Sequence, residues 1–140
     1  MKKCILLIML AVISLSGKSQ YNNDLVIETV LKTDTTSIGQ KMMYPNFQND
    51  EVSIVKITIA PGKSTGWHKH NFPVFAYLLK GTLTVEIQKG KTLQFQENTA
   101  FSEVINTLHN GSNQGKEDLI LIAFFMGEKG KPLSIHDDKP

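Results

Sequence analysis

Two histidines separated by a single residue, His68 and His70 in the run Gly66-Trp67-His68-Lys69-His70, are the side chains of this chain best suited to do chemistry. In a strand, positions i and i+2 leave the same face, so both imidazoles can enter one pocket. A third histidine, His109, follows about 40 residues later and opens the turn-rich run His-Asn-Gly-Ser-Asn, which ends at Asn113. Two histidines from one strand and one from a distant strand can build a metal site in the mouth of a β-barrel. Three neutral imidazoles suit a divalent transition metal (iron, copper, nickel, manganese or zinc) and leave positions open for water or substrate.

Other polar residues near these positions have two readings each. Glu103 lies six residues before His109, on a short strand between Ser102 and Val104. Facing inward, it would be a fourth ligand or a general base; facing outward, it is a solvated charge. Charged residues are seldom buried without a partner, which favours the outward face, while the neighbouring Phe101 and Val104 favour the inward one. A register shift at Asn106 would upset a parity argument, so both remain open. Tyr77 is a candidate hydroxyl donor in the pocket, but a core or dimer-contact tyrosine is the stronger reading. Trp67 and Lys69 should point away from His68 and His70. His136, beside Asp137 and Asp138, reads as solvated, and Asn113 as a brace for the turn after His109.

The elements that must position these residues are short strands separated by turns. Leu25 to Leu31 reads as a first strand and Thr33 to Asp50 as a polar arm or long loop. Strands are expected at Val52 to Ala60, Val74 to Leu79, Leu83 to Ile87, Leu93 to Phe95 and Ala100 to Val104. Leu119 to Met126 is a continuous apolar run with a β-branched and aromatic bias, expected as a buried strand. The phenylalanines at 72, 75, 95, 101, 124 and 125 are candidates for core or interface. No segment shows sustained helical periodicity and no internal repeat is visible. Roughly eight closely spaced strands suggest an all-β closed barrel or double-sheet jelly roll, with a seven-stranded sandwich as the alternative.

Composition narrows the setting. Lys2 and Lys3 precede an apolar run from Cys4 to Leu15, followed by small residues, the pattern of a secretory signal peptide over residues 1–20. The run is too short to span a bilayer, so the mature protein is expected to be exported, periplasmic or secreted, without a stable membrane anchor. Cys4 is the only cysteine and would leave with the signal, removing disulfide and thiolate chemistry. About 120 residues would remain, enough for one domain with one core. All 15 basic residues are lysines. Bidentate phosphate and base recognition favours arginine, so nucleic acid is not an expected partner.

Residues 50–127 resemble the cupin family. The first cupin signature is a glycine, five residues and H-x-H, followed by a glutamate and a closing glycine; Gly62, His68, His70 and Gly81 fit it. Val74 occupies the glutamate position. In the second signature His109 and Asn113 match in register, with Asn98, Val104 and Asn106 in place of glycine, proline and glycine. Asparagine is the non-glycine residue that best tolerates positive φ, so the turns can survive the change. The resemblance implies a double-stranded β-helix, the cupin jelly-roll barrel, after an N-terminal signal peptide. Residues 21–49 would supply a strand and arm, residues 50–127 the barrel, and residues 128–140 a polar tail.

The resemblance also implies a homodimer joined through edge strands, with the strand near Leu25 to Leu31 at the interface. The absent glutamate would leave the site one charge more positive, favouring an anionic chelating substrate bound at the metal. The function this implies is a metalloenzyme, oxygenase-like, acting on a small anionic or enol-type molecule. A non-catalytic periplasmic cupin that binds a sugar or small metabolite, and a sugar-acid lyase or isomerase, are the alternatives, because fold alone does not choose among them.

Overall fold

A computed structural model of the chain describes residues 25–137; the expected signal segment lies outside them. The described residues form nine strands and no helix. These are β1 (Asp50–Ile59), β2 (His68–Lys69), β3 (Val74–Lys80), β4 (Leu83–Ile87), β5 (Lys91–Phe95), β6 (Ala100–Ser102), β7 (His109–Asn113), β8 (Leu119–Glu128) and β9 (Ile135–His136). Two sheets face each other, one ordered β1-β8-β3-β6 and the other β5-β4-β7-β2-β9. This is the double-stranded β-helix expected from the sequence.

The alternation of side chains explains how the layers close. Along β8, Leu119, Leu121, Ala123 and Phe125 are buried, while the residues between them are only partly covered. β1 runs antiparallel to β8 from Asp50↔Glu128 to Ile59↔Leu119, and β3 flanks the other side of β8. Across the barrel, Leu83, Val85 and Ile87 of β4 meet Leu78, Phe101, Leu119 and Leu121 in the main core cluster. Phe72, Val74, Ala123 and Phe125 make a second cluster toward the other end. Both have the compact apolar packing that hydrophobic burial requires.

The asparagines in signature glycine positions behave as their chemistry allows: Asn98 and Asn106 have φ of 62° and 51°. Their backbone amides donate to the Leu78 and His70 carbonyls, so the turns are closed by main-chain bonds that do not need glycine. Val104, in the proline position, is buried in the main core.

Three strand expectations need correction. Leu25 to Leu31 is not a strand; it has no sheet partner and bends at Val30, and Leu25, Val26, Ile27 and Val30 are exposed. Alternating apolar residues make a strand only where an edge receives them, and within one chain none does. The run at His109–Asn113 is not a turn but β7, between β4 and β2. Its turn-type composition is overridden by pairing on both sides. Gly111 sits at its centre, where a Cβ would come within 3.3 Å of the Leu83 side chain and would push that side chain aside. Finally, the tail is not simply polar chain: it contributes β9 to the same sheet. The arm at 33–49 is an irregular segment as expected, pinned by Gln40, whose amide both accepts from the Ile105 N–H and donates to its carbonyl.

Candidate metal centre

The register of the five-stranded sheet brings the histidines together. His68 of β2 pairs directly with His109 of β7, and their ring centroids are 4.4 Å apart. Immediately after β2, His70 forms an isolated bridge with Ile105. Its ring lies 5.0 Å from that of His68 and 5.2 Å from that of His109. All three imidazoles are buried. His70 additionally packs edge-on against Phe125, an apolar wall that holds the ring in place.

Glu103 completes the group, and the outward reading favoured by its charge is corrected. Its Oε2 lies 2.9 Å from His70 Nε2 and 3.3 Å from His109 Nε2, with the side chain 15% exposed. Two backbone features place it there: β6 pairs with β3, and the Glu103 N–H donates to the Val74 carbonyl. Glu103 follows the last residue of β6, and Phe101 and Val104, of opposite parity, both lie in the main core; strand alternation therefore does not decide its direction, and the bond to Val74 does. Glu103 also supplies a carboxylate that Val74 cannot, so the site is not one charge more positive, and the argument from excess positive charge lapses.

One ligand atom from each of His68, His70, Glu103 and His109 lies within 4.8 Å of the others. The hydrogen bonds decide which atoms these are. The Nδ1 of His68 contacts the Gly66 carbonyl at 2.8 Å, that of His70 the Leu133 carbonyl at 2.7 Å, and that of His109 the Thr107 carbonyl at 3.0 Å. A carbonyl only accepts, so each Nδ1 carries the proton and each Nε2 faces the cavity. Backbone orientation of this kind is what ligating histidines require. His70 Nε2 is buried without a well-directed hydrogen bond, although the Glu103 carboxylate is adjacent. Lone pairs and a carboxylate converging on one point need a cation between them, and the residues present fit a divalent transition metal.

Electrostatics agree. Burial, with help from the neighbouring imidazoles, pushes His68 down to about 4 despite the bond to the Gly66 carbonyl, so it is neutral at pH 7. Burial alone would lower His109 too, but its hydrogen bond and charge interaction with Glu103 outweigh this and raise it. Burial would likewise raise Glu103, yet the His109 and His70 imidazoles set against its carboxylate hold it well below the usual carboxylate range. In the metal-free site, therefore, the Glu103 carboxylate favours a proton on His109 Nε2 to a higher pH than a free imidazole would keep it.

The cavity that these residues close is about 120 Å³. Its other walls are Ile57, Ile59, Leu83, Val85, Leu121, Ala123 and Phe125, with Thr65, Ser134 and His136 as the remaining polar side chains. Tyr77 is not among them. It lies on the outer face of the four-stranded sheet, beside Val30, Leu31, Phe75 and Phe124, which excludes it as a pocket hydroxyl and agrees with a contact role. Trp67 lines a separate cleft with Glu86 and Gln88, away from the imidazoles, and Lys69 does not reach the cavity. Asn113 braces the turn that follows β7 and not one after His109: its Nδ2 donates to the Ile59 and Glu117 carbonyls, and its Oδ1 accepts from the Gly115 N–H. His136 is exposed, as expected, yet it stands at the cavity mouth, a position that sequence reasoning missed.

A β-barrel with three histidines and a glutamate converging in its mouth defines a cupin-type barrel with a side-chain group able to hold a metal ion. Comparison with known proteins agrees: the cupin domain family model matches residues 55–125, and the chain belongs to this family. A cupin domain from Bordetella pertussis Tohama I shares 21% identity over 61% of this chain and 98% of its own, with a TM-score of 0.50. A protein from Bacillus halodurans is 17% identical over 63% of this chain and 70% of its own, at 0.52. A DMSP lyase from Ruegeria pomeroyi DSS-3 is 8% identical over 61% of this chain and 42% of its own, also at 0.52. At these identities the likeness is one of fold. No curated protein matches the chain.

Because the metal must displace any proton held at His109, binding should release protons, and the number released per ion should rise as the pH is lowered through the raised value of His109. Calorimetry in buffers of different ionisation enthalpy measures this. Affinity should fall about tenfold per pH unit below the raised value of His109, and more steeply below about 4, where His68 also protonates. Glu103→Gln removes the group that raises His109, so proton release at pH 7 should diminish and affinity should drop. Unchanged proton release in that variant would contradict the assignment.

Proposed function

We propose that this protein is a metal-dependent cupin enzyme, oxygenase-like, acting on a small anionic or enol-type molecule held at the three-histidine and glutamate site. The observation that carries this reading is the set of three backbone carbonyls that turn three Nε2 atoms and a carboxylate toward one point. Four protein ligands leave positions open on a five- or six-coordinate ion. When bound, such an ion supplies a place for chelation and, if it is redox-active, for chemistry with dioxygen.

The chain's own residues set what can enter. A divalent ion with three neutral imidazoles and one carboxylate leaves a net charge of +1, which a singly ionised chelator such as an enolate neutralises. The cavity is well below the several hundred Å³ usual for drug-sized ligands. Its aliphatic walls exclude water and suit an apolar body behind the chelating group. Glu103, released from His109 when the proton leaves, is placed to act as a carboxylate base within the site. A sugar would need a hydrogen-bonding partner for each hydroxyl, and beyond the ligand group the walls offer only Thr65, Ser134 and His136. The sugar-binding and sugar-acid readings therefore fit less well.

The lysine-led apolar run from Cys4 to Leu15 supports export, with action in the periplasm or outside the cell. We further propose a homodimer. Val52 and Ile54 of β1 are 58% and 63% exposed on the outer sheet face, which continues through Phe124, Phe75 and Tyr77 to the uncovered segment at Leu25–Val30. A second copy laid on this face would cover the largest run of exposed apolar side chains among the described residues.

The enzyme reading is tested by oxygen uptake with iron-, copper-, nickel- and manganese-loaded protein against small β-diketones and other enolisable compounds. Uptake that needs both metal and substrate, and that falls at least a hundredfold in His70→Ala, is the expected result. A loaded protein that binds these compounds without consuming them or oxygen would sink the oxygenase assignment. For assembly, light scattering at micromolar concentration should give twice the chain mass, and a Val52→Asp/Ile54→Asp variant should give the monomer. A monomeric parent protein would contradict the dimer.

A further inference from the structure

The family match ends at residue 125, but the metal cavity does not. After β8 the chain turns at Gly130, where φ is 77°, and residues 132–137 return along the open side of β2. Three ties hold this return strand. The Leu133 carbonyl accepts from His70 Nδ1 at 2.7 Å. β9 pairs with β2 at His68↔His136 and Lys69↔Ile135. The Asp137 N–H donates to the Trp67 carbonyl at 3.1 Å. The Leu133 side chain also packs against the cluster of Phe72, Val74, Ala123 and Phe125.

Two of the site's features depend on this segment. His68 and His109 take their orienting carbonyls from residues two positions earlier in their own loops, Gly66 and Thr107. His70 takes its carbonyl from a residue 63 positions later, on the return strand. In addition, the strand sets Ser134 and His136 into the cavity wall. The His136 ring lies 5.7 Å from that of His68, tilted by 36°. It is the one ionisable side chain of the wall that the four ligand candidates leave unused.

We propose that the C-terminal strand is a functional part of the metal centre: the Leu133 carbonyl positions His70 for ligation, and His136 makes the polar contact to a small molecule bound at the metal. This rests on the metal-site reading above. Without the Leu133 carbonyl, His70 has no group to hold the proton on Nδ1, and its ring can take either tautomer. Without His136, an incoming polar ligand meets the ion on one side and mostly hydrocarbon on the other.

The test uses the full chain, Co(II) as metal and acetohydroxamate as a small chelating anion. Three variants are compared with the parent: deletion of residues 132–140, Ile135→Pro and His136→Ala. Proline cannot donate to a strand ladder, so Ile135→Pro loosens β9 without removing it. Chelator competition gives Co(II) affinity, visible absorption reports the coordination geometry, and far-ultraviolet circular dichroism checks the sheet. The deletion and Ile135→Pro should weaken Co(II) binding about 10- to 100-fold and alter the cobalt spectrum while the sheet signal persists. His136→Ala should leave Co(II) affinity and spectrum unchanged and weaken acetohydroxamate about 2- to 10-fold, the worth of one hydrogen bond.

Folded strand variants with parental cobalt affinity and spectrum would overturn the positioning role, and parental acetohydroxamate affinity in His136→Ala would overturn the contact role. If the deletion does not fold, Ile135→Pro decides the first point and His136→Ala still decides the second. A parent chain that takes up no Co(II) would remove the metal reading and this inference together. A parent that binds Co(II), beside variants that behave like it, would remove this inference alone.

Discussion

The orientation of three imidazoles by three backbone carbonyls is the constraint on which the rest of this site depends. The carbonyls of Gly66, Leu133 and Thr107 each accept a hydrogen bond from an Nδ1–H, and the lone pairs of Nε2 are thereby committed to the cavity. Side-chain acceptors could rotate away or titrate; main-chain carbonyls can do neither. Their cost is that the loops and strands carrying them must be held in place, and much of the surrounding structure does this. Gln40 grips the loop at Ile105, two residues before Thr107. Thr65 accepts from the Gly111 N–H, fastening the loop that carries Gly66 to β7.

The barrel supplies the second condition, which is register. His68 and His109 are direct partners across β2 and β7, so a shift by one residue would turn one of them out of the cavity. Gly111 lets β7 lie close to Leu83, and Asn113 ties its far end to the last carbonyl of β1. These residues touch no ligand. They fix the positions from which the ligands reach inward, and the apolar walls from β1, β4 and β8 then exclude water from the point where the ligand atoms meet.

Much of this was legible in the residues. Alternation and glycine turns identified β1 and the strands from β3 to β6, and the continuous apolar run identified β8, whose residues are alternately buried and partly covered. The H-x-H spacing identified two ligands, and the register of the second signature identified the third. What escaped was set by distant parts of the chain. β7 carries turn-forming residues and becomes a strand only because β4 and β2 flank it. The apolar alternation at Leu25–Leu31 finds no edge within one chain and stays unpaired. Glu103 had only its apolar neighbours Phe101 and Val104 as a signal, because β6 stops at Ser102 and strand alternation no longer applies to it. The contribution of Leu133 and His136 had no local signal, since it arises from a pairing across more than 60 residues.

Metal content of the purified chain is the measurement that bears most directly on this account. Mass spectrometry of protein reconstituted in turn with iron, manganese, nickel, copper and zinc should find stoichiometric uptake of at least one of them. The same measurement on His68→Ala, His70→Ala and His109→Ala variants that retain the sheet signal should find it lost. A folded parent that retains none of these metals would contradict the account, and the three oriented imidazoles would then serve only as a hydrogen-bonded polar core around Glu103.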